Sequence, residues 1–430
     1  MNHPGRWTVL ETGFWSLADQ GAVSAGNFVT AVLLARALAP AEYGVYALLF
    51  ALMLFMVGLH AALIAYGLSL DGAAATEAGL RPLAGGSLTL TAGLGMVLGA
   101  ATGVVAVLFH RVTLAPSILL ALLFWQLQET TRRALMSRLR HRDAVWGDAL
   151  SYLGQAACIA YLFVENRLTL ASTFEVMAAT SAAAWFVQVA QLKLTLNDFC
   201  GGLRLVPKFW TVGRWMLLTN VAQGFIDQAL LWFLALRGTA EVAAFQSVLN
   251  LLRAMNPVMF GIGSVLLPTV AAQQGNLAAG LHAARRYGLL GALILLPYFG
   301  AISIFPRLTL QLLYGPTSAY SGLQLEVRLL VVASTFIYAT YMLGAYYNGL
   351  SRSYTVLRFQ LIGSATALVG GFVLVTQARV LGASVAYGLA FAAQTAAYIW
   401  FLRRHTLSLV RPAASSTLSV TSSASPVEQP

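Results

Sequence analysis

Charge is what this sequence is short of. Acidic and basic residues together make up 10% of its 430 positions, where a soluble domain carries about 25%. Lysine is almost missing, with Lys193 and Lys208 the only two. A soluble fold could not hide the apolar surface that remains. Cysteine is equally sparse. Cys158 sits in an apolar run and Cys200 in a loop, so there is no CxxC, no metal spacing and no disulfide framework. Strand-type alternation is absent, which removes a transmembrane barrel. P-loop, GxSxG, HExxH and paired loop aspartates are absent too, and with them the usual signs of an enzyme. His60 stands alone in an apolar run, and His110 and His141 lack a second ligand at metal spacing. No cofactor and no metal are expected.

What is present is hydrophobic length. Hydrophobic residues reach 58% and the mean hydropathy is +0.73. A helix needs roughly 20 apolar residues to cross the hydrocarbon core. Twelve such stretches can be drawn, separated by Gly, Pro and charged residues: 13–37, 44–68, 87–109, 116–136, 144–164, 174–194, 215–236, 242–267, 288–305, 327–349, 354–376 and 381–401. The fold class is an all-α polytopic membrane protein of about twelve transmembrane helices. Only about ten polar residues precede the first span, which is long and stripe-bearing. It is expected to be retained, not cleaved as a signal peptide.

Excess Lys and Arg marks cytoplasmic loops in such proteins. With the N-terminus inside, 18 of the 26 Lys and Arg fall in inner loops or at inner span ends, 7 fall in outer loops or at outer span ends, and Arg253 alone lies in the middle of a span. Both termini are therefore expected in the cytoplasm, and the net charge of +11 reflects topology, not nucleic-acid binding. The basic segment NDFCGGLRLVPKFWTVG divides the chain. It gives an N-terminal six-helix bundle (1–196), a cytoplasmic linker (197–213) and a C-terminal six-helix bundle (214–405). A disordered Ser, Thr and Pro-rich cytoplasmic tail (406–430) follows. LAPAEYGVY after the first span is weakly echoed by LRGTAEVAAF after the seventh, as in transporters built from internal repeats.

Polar groups inside the spans are the candidate site. Gln20, Ser24 and Asn27 share one face of span one, bordered by Asp19. Asn220, Gln223 and Asp227 do the same on span seven, and Gln246, Asn250, Arg253 and Asn256 form a continuous stripe on span eight. A mid-span arginine costs about 2.5–3.5 kcal/mol to insert and must meet a carboxylate, carbonyls or water. Arg253 either pairs with Asp227 to pin two helices or lines a cavity with it. Asp19 either binds a proton or cation or is a packing group near the interface. Pro257 is expected to bend span eight. Glu129, Arg132 and Arg133 near the inner end of span four, and Asp148 and Gln155 on span five, read as structural. Tyr338 and Tyr341 belong to an aromatic-polar stripe through span ten that is expected to face a lumen in part.

The segment with Asp19-Gln20-Gly21, Asn27-Phe28, Ala35-Arg36 and Glu42-Tyr43-Gly44 resembles bacterial polysaccharide biosynthesis proteins. These are oligosaccharide flippases of the multidrug/oligosaccharidyl-lipid/polysaccharide exporter superfamily. The local match covers about residues 12–60, and the topology match covers nearly the whole chain. The resemblance implies a V-shaped, MATE-like transporter in the bacterial cytoplasmic (inner) membrane. It would move an undecaprenyl-pyrophosphate-linked oligosaccharide between leaflets by alternating access, for O-antigen or exopolysaccharide assembly. The polar stripes of the spans, not the resemblance, supply the substrate-cavity residues Gln20, Ser24, Asn27, Asn220, Gln223, Gln246, Asn250, Arg253, Asn256, Tyr338 and Tyr341, with Asp19 and Asp227 as ion-coupling candidates. Implied partners are the lipid-linked oligosaccharide, membrane lipids, and a polysaccharide polymerase and glycosyltransferases. A cation-coupled small-molecule exporter of the same superfold is the alternative.

Overall fold

The computed structural model describes residues 6–273 and 277–410, and these are helical with no strand. Twelve rods succeed one another through short connections. Before the connection at 193–205 come α1 (Arg6–Ala37), α2 (Pro40–Ala74), α3 (Glu77–Leu108), α4 (Val112–Ser137), α5 (141–164) and α6 (Leu170–Leu192). After it come α7 (Val206–Ala235), α8 (Thr239–Arg253 and Asn256–Ala271), α9 (Leu277–Ile304), α10 (Gln324–Gly349), α11 (353–377) and α12 (380–410). By length and composition seven helices can cross a membrane, counting Ser353–Arg404 as one, and bent α8 makes an eighth. This is a multi-pass membrane protein.

Several boundaries differ from those read in the sequence. The α7 helix begins at Val206, with Pro207 in its first turn, so the second part of the 197–213 segment is helix and not linker. The α12 helix runs to Val410, past the expected boundary at 405. The tail residues from Arg411 to Pro430 lie outside the described residues. The α8 rod bends by 48° between its two segments, just before Pro257, whose ring removes a backbone donor. Between α9 and α10 a short helix, Pro306–Tyr314, lies at the face opposite the two chain ends.

Packing decides where the interior opens. We call the face on which α1 starts and α12 ends the terminal face, and its opposite the far face. Toward the far face a single apolar core joins rods from both sides of the connection. It includes Tyr43, Tyr46 and Phe50 of α2, Trp125 of α4, Phe174 of α6, Leu230 of α7, Phe245 of α8, and Tyr314 and Tyr320 beyond α9. Helix α2 is buried without interruption from Tyr43 to Met53 because rods surround it there. Gly44 lets α2 touch α8, since an added Cβ would overlap the Thr239 carbonyl. Arg36 at the end of α1 donates to the carbonyls of Leu312 and Leu313, both at 2.5 Å, so it caps the short helix. Tyr314 adds a hydrogen bond to the Ser247 carbonyl at 2.7 Å.

Toward the terminal face that core divides. One cluster uses α2 to α6 with Phe209 of α7. The other is confined to α8 through α12, around Tyr346, Tyr347, Phe359 and Tyr398. A cavity lies where the two sets of rods separate.

Candidate functional site

Helix α7 is moored to α2 by carboxamides. Gln228 Nε2 donates to the Ala51 carbonyl at 2.6 Å, and Asn220 Nδ2 donates to the Gly58 carbonyl at 2.8 Å. Between them and the bend of α8 lies a cavity of about 390 Å³. Its polar lining is Asn220, Gln223, Asp227 and Gln228 of α7, Gln246, Arg253 and Asn256 of α8, and Tyr387 of α12. Phe55, Leu249 and Met259 are among its apolar residues. A second cavity of about 500 Å³ extends among α8, α10, α11 and α12, and shares Gln223, Asp227 and Tyr387 with the first. Tyr341, Gln360 and Gln394 line this second space.

The α8 stripe closes on itself across two helical turns, from Gln246 to Arg253. With its carboxamide oxygen turned to the guanidinium, Gln246 accepts from Arg253 Nη2 at 2.8 Å and Nη1 at 3.1 Å. Arg253 Nη1 also lies 3.4 Å from Asn250 Oδ1, and Asn250 Nδ2 donates to Tyr43 OH at 2.8 Å. Carboxamides satisfy the guanidinium without neutralising it. Asp227 accepts instead from Tyr387 OH at 3.4 Å and is open to the cavity. Of the two readings of Arg253 and Asp227, the helix-pinning ion pair is not made, and both residues line the cavity. Among the described residues no carboxylate comes within ion-pair distance of Arg253.

The α1 stripe goes elsewhere. Helix α1 packs along α5, so close that a Cβ on Gly26 would stand 2.5 Å from the Tyr152 carbonyl. Gln20 and Ser24 are half-buried and do not line the central cavity. Asn27 borders a void of about 10 Å³ with Trp125, Tyr152 and Gln155. Asp19 is fully buried and receives Arg132 Nη2 at 2.5 Å. Arg132 also pairs with Asp148, and with Glu129 at 3.1 Å, while Glu129 holds Arg133 at 2.5 Å. Gln128 donates to Asp148 at 3.0 Å and accepts from Ser151 at 2.8 Å. Three carboxylates thus meet two guanidiniums, and Asp19 Oδ1 is left without a hydrogen-bond partner. The cluster therefore holds one more carboxylate than guanidinium.

Of the residues singled out from sequence, Asn220, Gln223, Asp227, Gln246, Arg253 and Asn256 share the central cavity. Asn250 stands behind them as a buried support. Tyr341 lines the second cavity, but Tyr338 turns to α9 and donates to the Gly288 carbonyl at 2.7 Å. Sequence reasoning missed Gln228, Tyr387, Gln360 and Gln394. Three of them are isolated polar groups in the apolar runs of spans eleven and twelve, which was the available signal. It also separated Asp19 from Arg132 and Asp148, which the structure joins.

No protein-family model and no curated protein matches the chain. Solved structures do. One, described as the inward-facing conformation of a multidrug resistance MATE family transporter of the MOP superfamily, aligns with a TM-score of 0.78 at 16% identity, over 90% of this chain and 96% of that one. The outward-facing conformation of such a transporter aligns at 0.65 with 14% identity, over 94% and 96%. A MATE protein in the straight conformation gives 0.65 with 14% identity, over 93% and 96%. At these identities it is the fold that is shared, and this chain has the fold of the MATE transporters of the MOP superfamily.

Proposed function

We propose that this protein is a flippase that carries an undecaprenyl-pyrophosphate-linked oligosaccharide across the cytoplasmic membrane for surface polysaccharide assembly. The observation that carries the reading is the wall of the central cavity. It presents five carboxamides, Asn220, Gln223, Gln228, Gln246 and Asn256, around one guanidinium that has no carboxylate partner. Carboxamides both donate and accept, which suits the hydroxyls of a sugar. The planar fork of Arg253 suits phosphate oxygens, and no carboxylate in contact with it competes for that fork. The polyprenyl tail needs no such wall, because the bilayer dissolves it.

Transport proceeds by rocking of two bundles, 1–196 and 214–405, about this cavity. The apolar core at the far face and the separated clusters at the terminal face correspond to a state open toward the chain ends. The greater likeness to an inward-facing transporter fits that state. With both termini in the cytoplasm, this is the loading state. Glycosyltransferases supply the substrate and a polymerase consumes it. A second reading, a cation-coupled exporter of small molecules, draws on the acid excess around Arg132 and on Asp227 in the cavity. The deciding experiment uses proteoliposomes loaded with either an undecaprenyl-pyrophosphate oligosaccharide or a cationic dye. Protein-dependent movement of the saccharide, read by a lectin added outside, supports the flippase. Dye movement alone supports the exporter.

A further inference from the structure

A second built pocket lies on the terminal face, and it shares no residue with the transport cavity. Its volume is about 640 Å³. Three helix ends make it: the first turn of α3 with Glu77 and Arg81, the turn from α4 into α5 with Arg138 and Arg140, and the end of α6 with Lys193. Leu139 and Lys193 adopt left-handed backbone conformations, which stop α4 and α6 abruptly and bring these side chains together. Arg138 Nη1 donates to the Ala75 carbonyl at 2.9 Å. Arg140 donates to the Gln191 carbonyl at 3.2 Å and pairs with Asp143 at 2.7 Å. These contacts position both guanidiniums and leave each with further N–H donors, since a guanidinium carries five.

Arg81 and Lys193 are different. Neither has a hydrogen-bond or ion-pair partner among the described residues, and both are exposed to the pocket. Against the four cations stand two carboxylates, Glu77 and the already paired Asp143. The pocket therefore holds an excess of two positive charges. Leu139, between the two arginines, is an apolar side chain that is 67% exposed.

We propose that this pocket binds a phosphate-ester anion, held by Arg81, Arg138, Arg140 and Lys193. Its location at the end of membrane-spanning helices makes an anionic phospholipid headgroup one source and a free phosphate the other. Basic pockets between helix ends on the cytoplasmic side are physically suited to such headgroups. The excess of two positive charges matches the one to two negative charges of a phosphate diester or monoester. The site goes beyond the transport reading and does not depend on what the central cavity carries.

The test uses the full-length protein in detergent, titrated calorimetrically with dioctanoyl phosphatidylglycerol, dioctanoyl phosphatidylcholine and inorganic phosphate. Wild type is expected to bind phosphatidylglycerol in preference to phosphatidylcholine. In R81Q/K193Q the affinity is expected to fall by about tenfold or more, since each cation near an anionic lipid surface contributes about a factor of five. R81K/K193R is expected to keep most of it, and Arg167→Gln at the far face to change nothing. Neither the Arg81 nor the Lys193 side chain has a polar partner among the described residues, and R81K/K193R controls for the fold, so loss in the double variant reads on the site. Binding of inorganic phosphate that is also lost in R81Q/K193Q identifies a free anion as sufficient, while binding of the lipid alone identifies the headgroup. Equal binding by wild type and R81Q/K193Q, or no binding by wild type, overturns the proposal.

Discussion

Arg253 and Asp227 line one cavity from facing helices, and no ion pair joins them. Each is satisfied by neutral groups, the arginine by Gln246 and Asn250, the aspartate by Tyr387. A pair that exists to pin helices would be in contact, because an uncompensated buried ion is costly. Two opposite charges that line one cavity without pairing leave both free for a ligand. Asp227→Asn is therefore expected to keep the thermal stability of wild type within about 1 kcal/mol, as for surface-like substitutions. A large drop in melting temperature would restore Asp227 to a structural role.

Arg132 is the opposite case. It is buried and holds Asp19, Glu129 and Asp148 at once. Removing one partner from such a cluster leaves like charges buried without compensation, which costs about 3–5 kcal/mol. Arg132→Ala is expected to lower the unfolding midpoint strongly, and Arg132→Ala with Asp148→Asn to recover part of the loss. Scanning fluorimetry on the detergent-solubilised proteins checks this. An Arg132→Ala protein as stable as wild type would mean that the cluster is solvated.

Asp19 has one carboxylate oxygen bound to Arg132 and one without a partner. We propose that the cluster's excess of one carboxylate over guanidiniums is where a coupling proton or cation binds. Asp19→Asn removes that excess while keeping the side-chain shape. It is expected to abolish stimulation of flux by an imposed ion gradient, and to leave passive exchange and folding in place. Equal gradient stimulation in wild type and Asp19→Asn removes Asp19 from coupling.

At the far face the closed state rests on Gly44 touching the Thr239 carbonyl. Gly44→Ala is expected to wedge α2 from α8 and shift the population toward a state open at that face. With Cys158 and Cys200 replaced by serine, a cysteine at Ser247 should then label faster with a membrane-impermeant thiol reagent added from the far side. Unchanged labelling would show that the α2–α8 contact does not gate access.

Much of this architecture was readable because hydropathy and helical periodicity are local properties. The α8 stripe at Gln246, Asn250 and Arg253 follows directly from 3.6 residues per turn, and its bend follows from Pro257. Which neighbour a stripe meets is not local. The α1 stripe has the same pattern, yet Asp19 finds Arg132 across 113 positions of sequence and draws that face into the α1–α6 rods. Tyr338 and Tyr341 share a helix face in the sequence, but one reaches a carbonyl of α9 and the other a cavity. Periodicity defines a face, and only tertiary packing decides what it faces.

The proposed sidedness, with both termini in the cytoplasm, follows from a charge asymmetry of 18 cations on the side assigned as inner against 7 on the other. Reporter fusions after Gly79, Asp143 and Leu203 are expected to report cytoplasm, and fusions after Ala115, Asn166 and Ser318 the outside. One well-expressed fusion on the wrong side breaks the register.

The most direct test of the central claim is flux through the cavity around Arg253. Proteoliposomes carrying equal amounts of folded wild type, Arg253→Lys or Arg253→Ala are given an undecaprenyl-pyrophosphate oligosaccharide, and its appearance in the opposite leaflet is timed. A charge-assisted hydrogen bond contributes about 1.5–3 kcal/mol, or roughly 10- to 100-fold. Arg253→Ala is expected to lose flux on that scale, and Arg253→Lys, which keeps the charge but not the fork, to lose less. Flux per folded molecule that is the same in all three proteins would contradict the account.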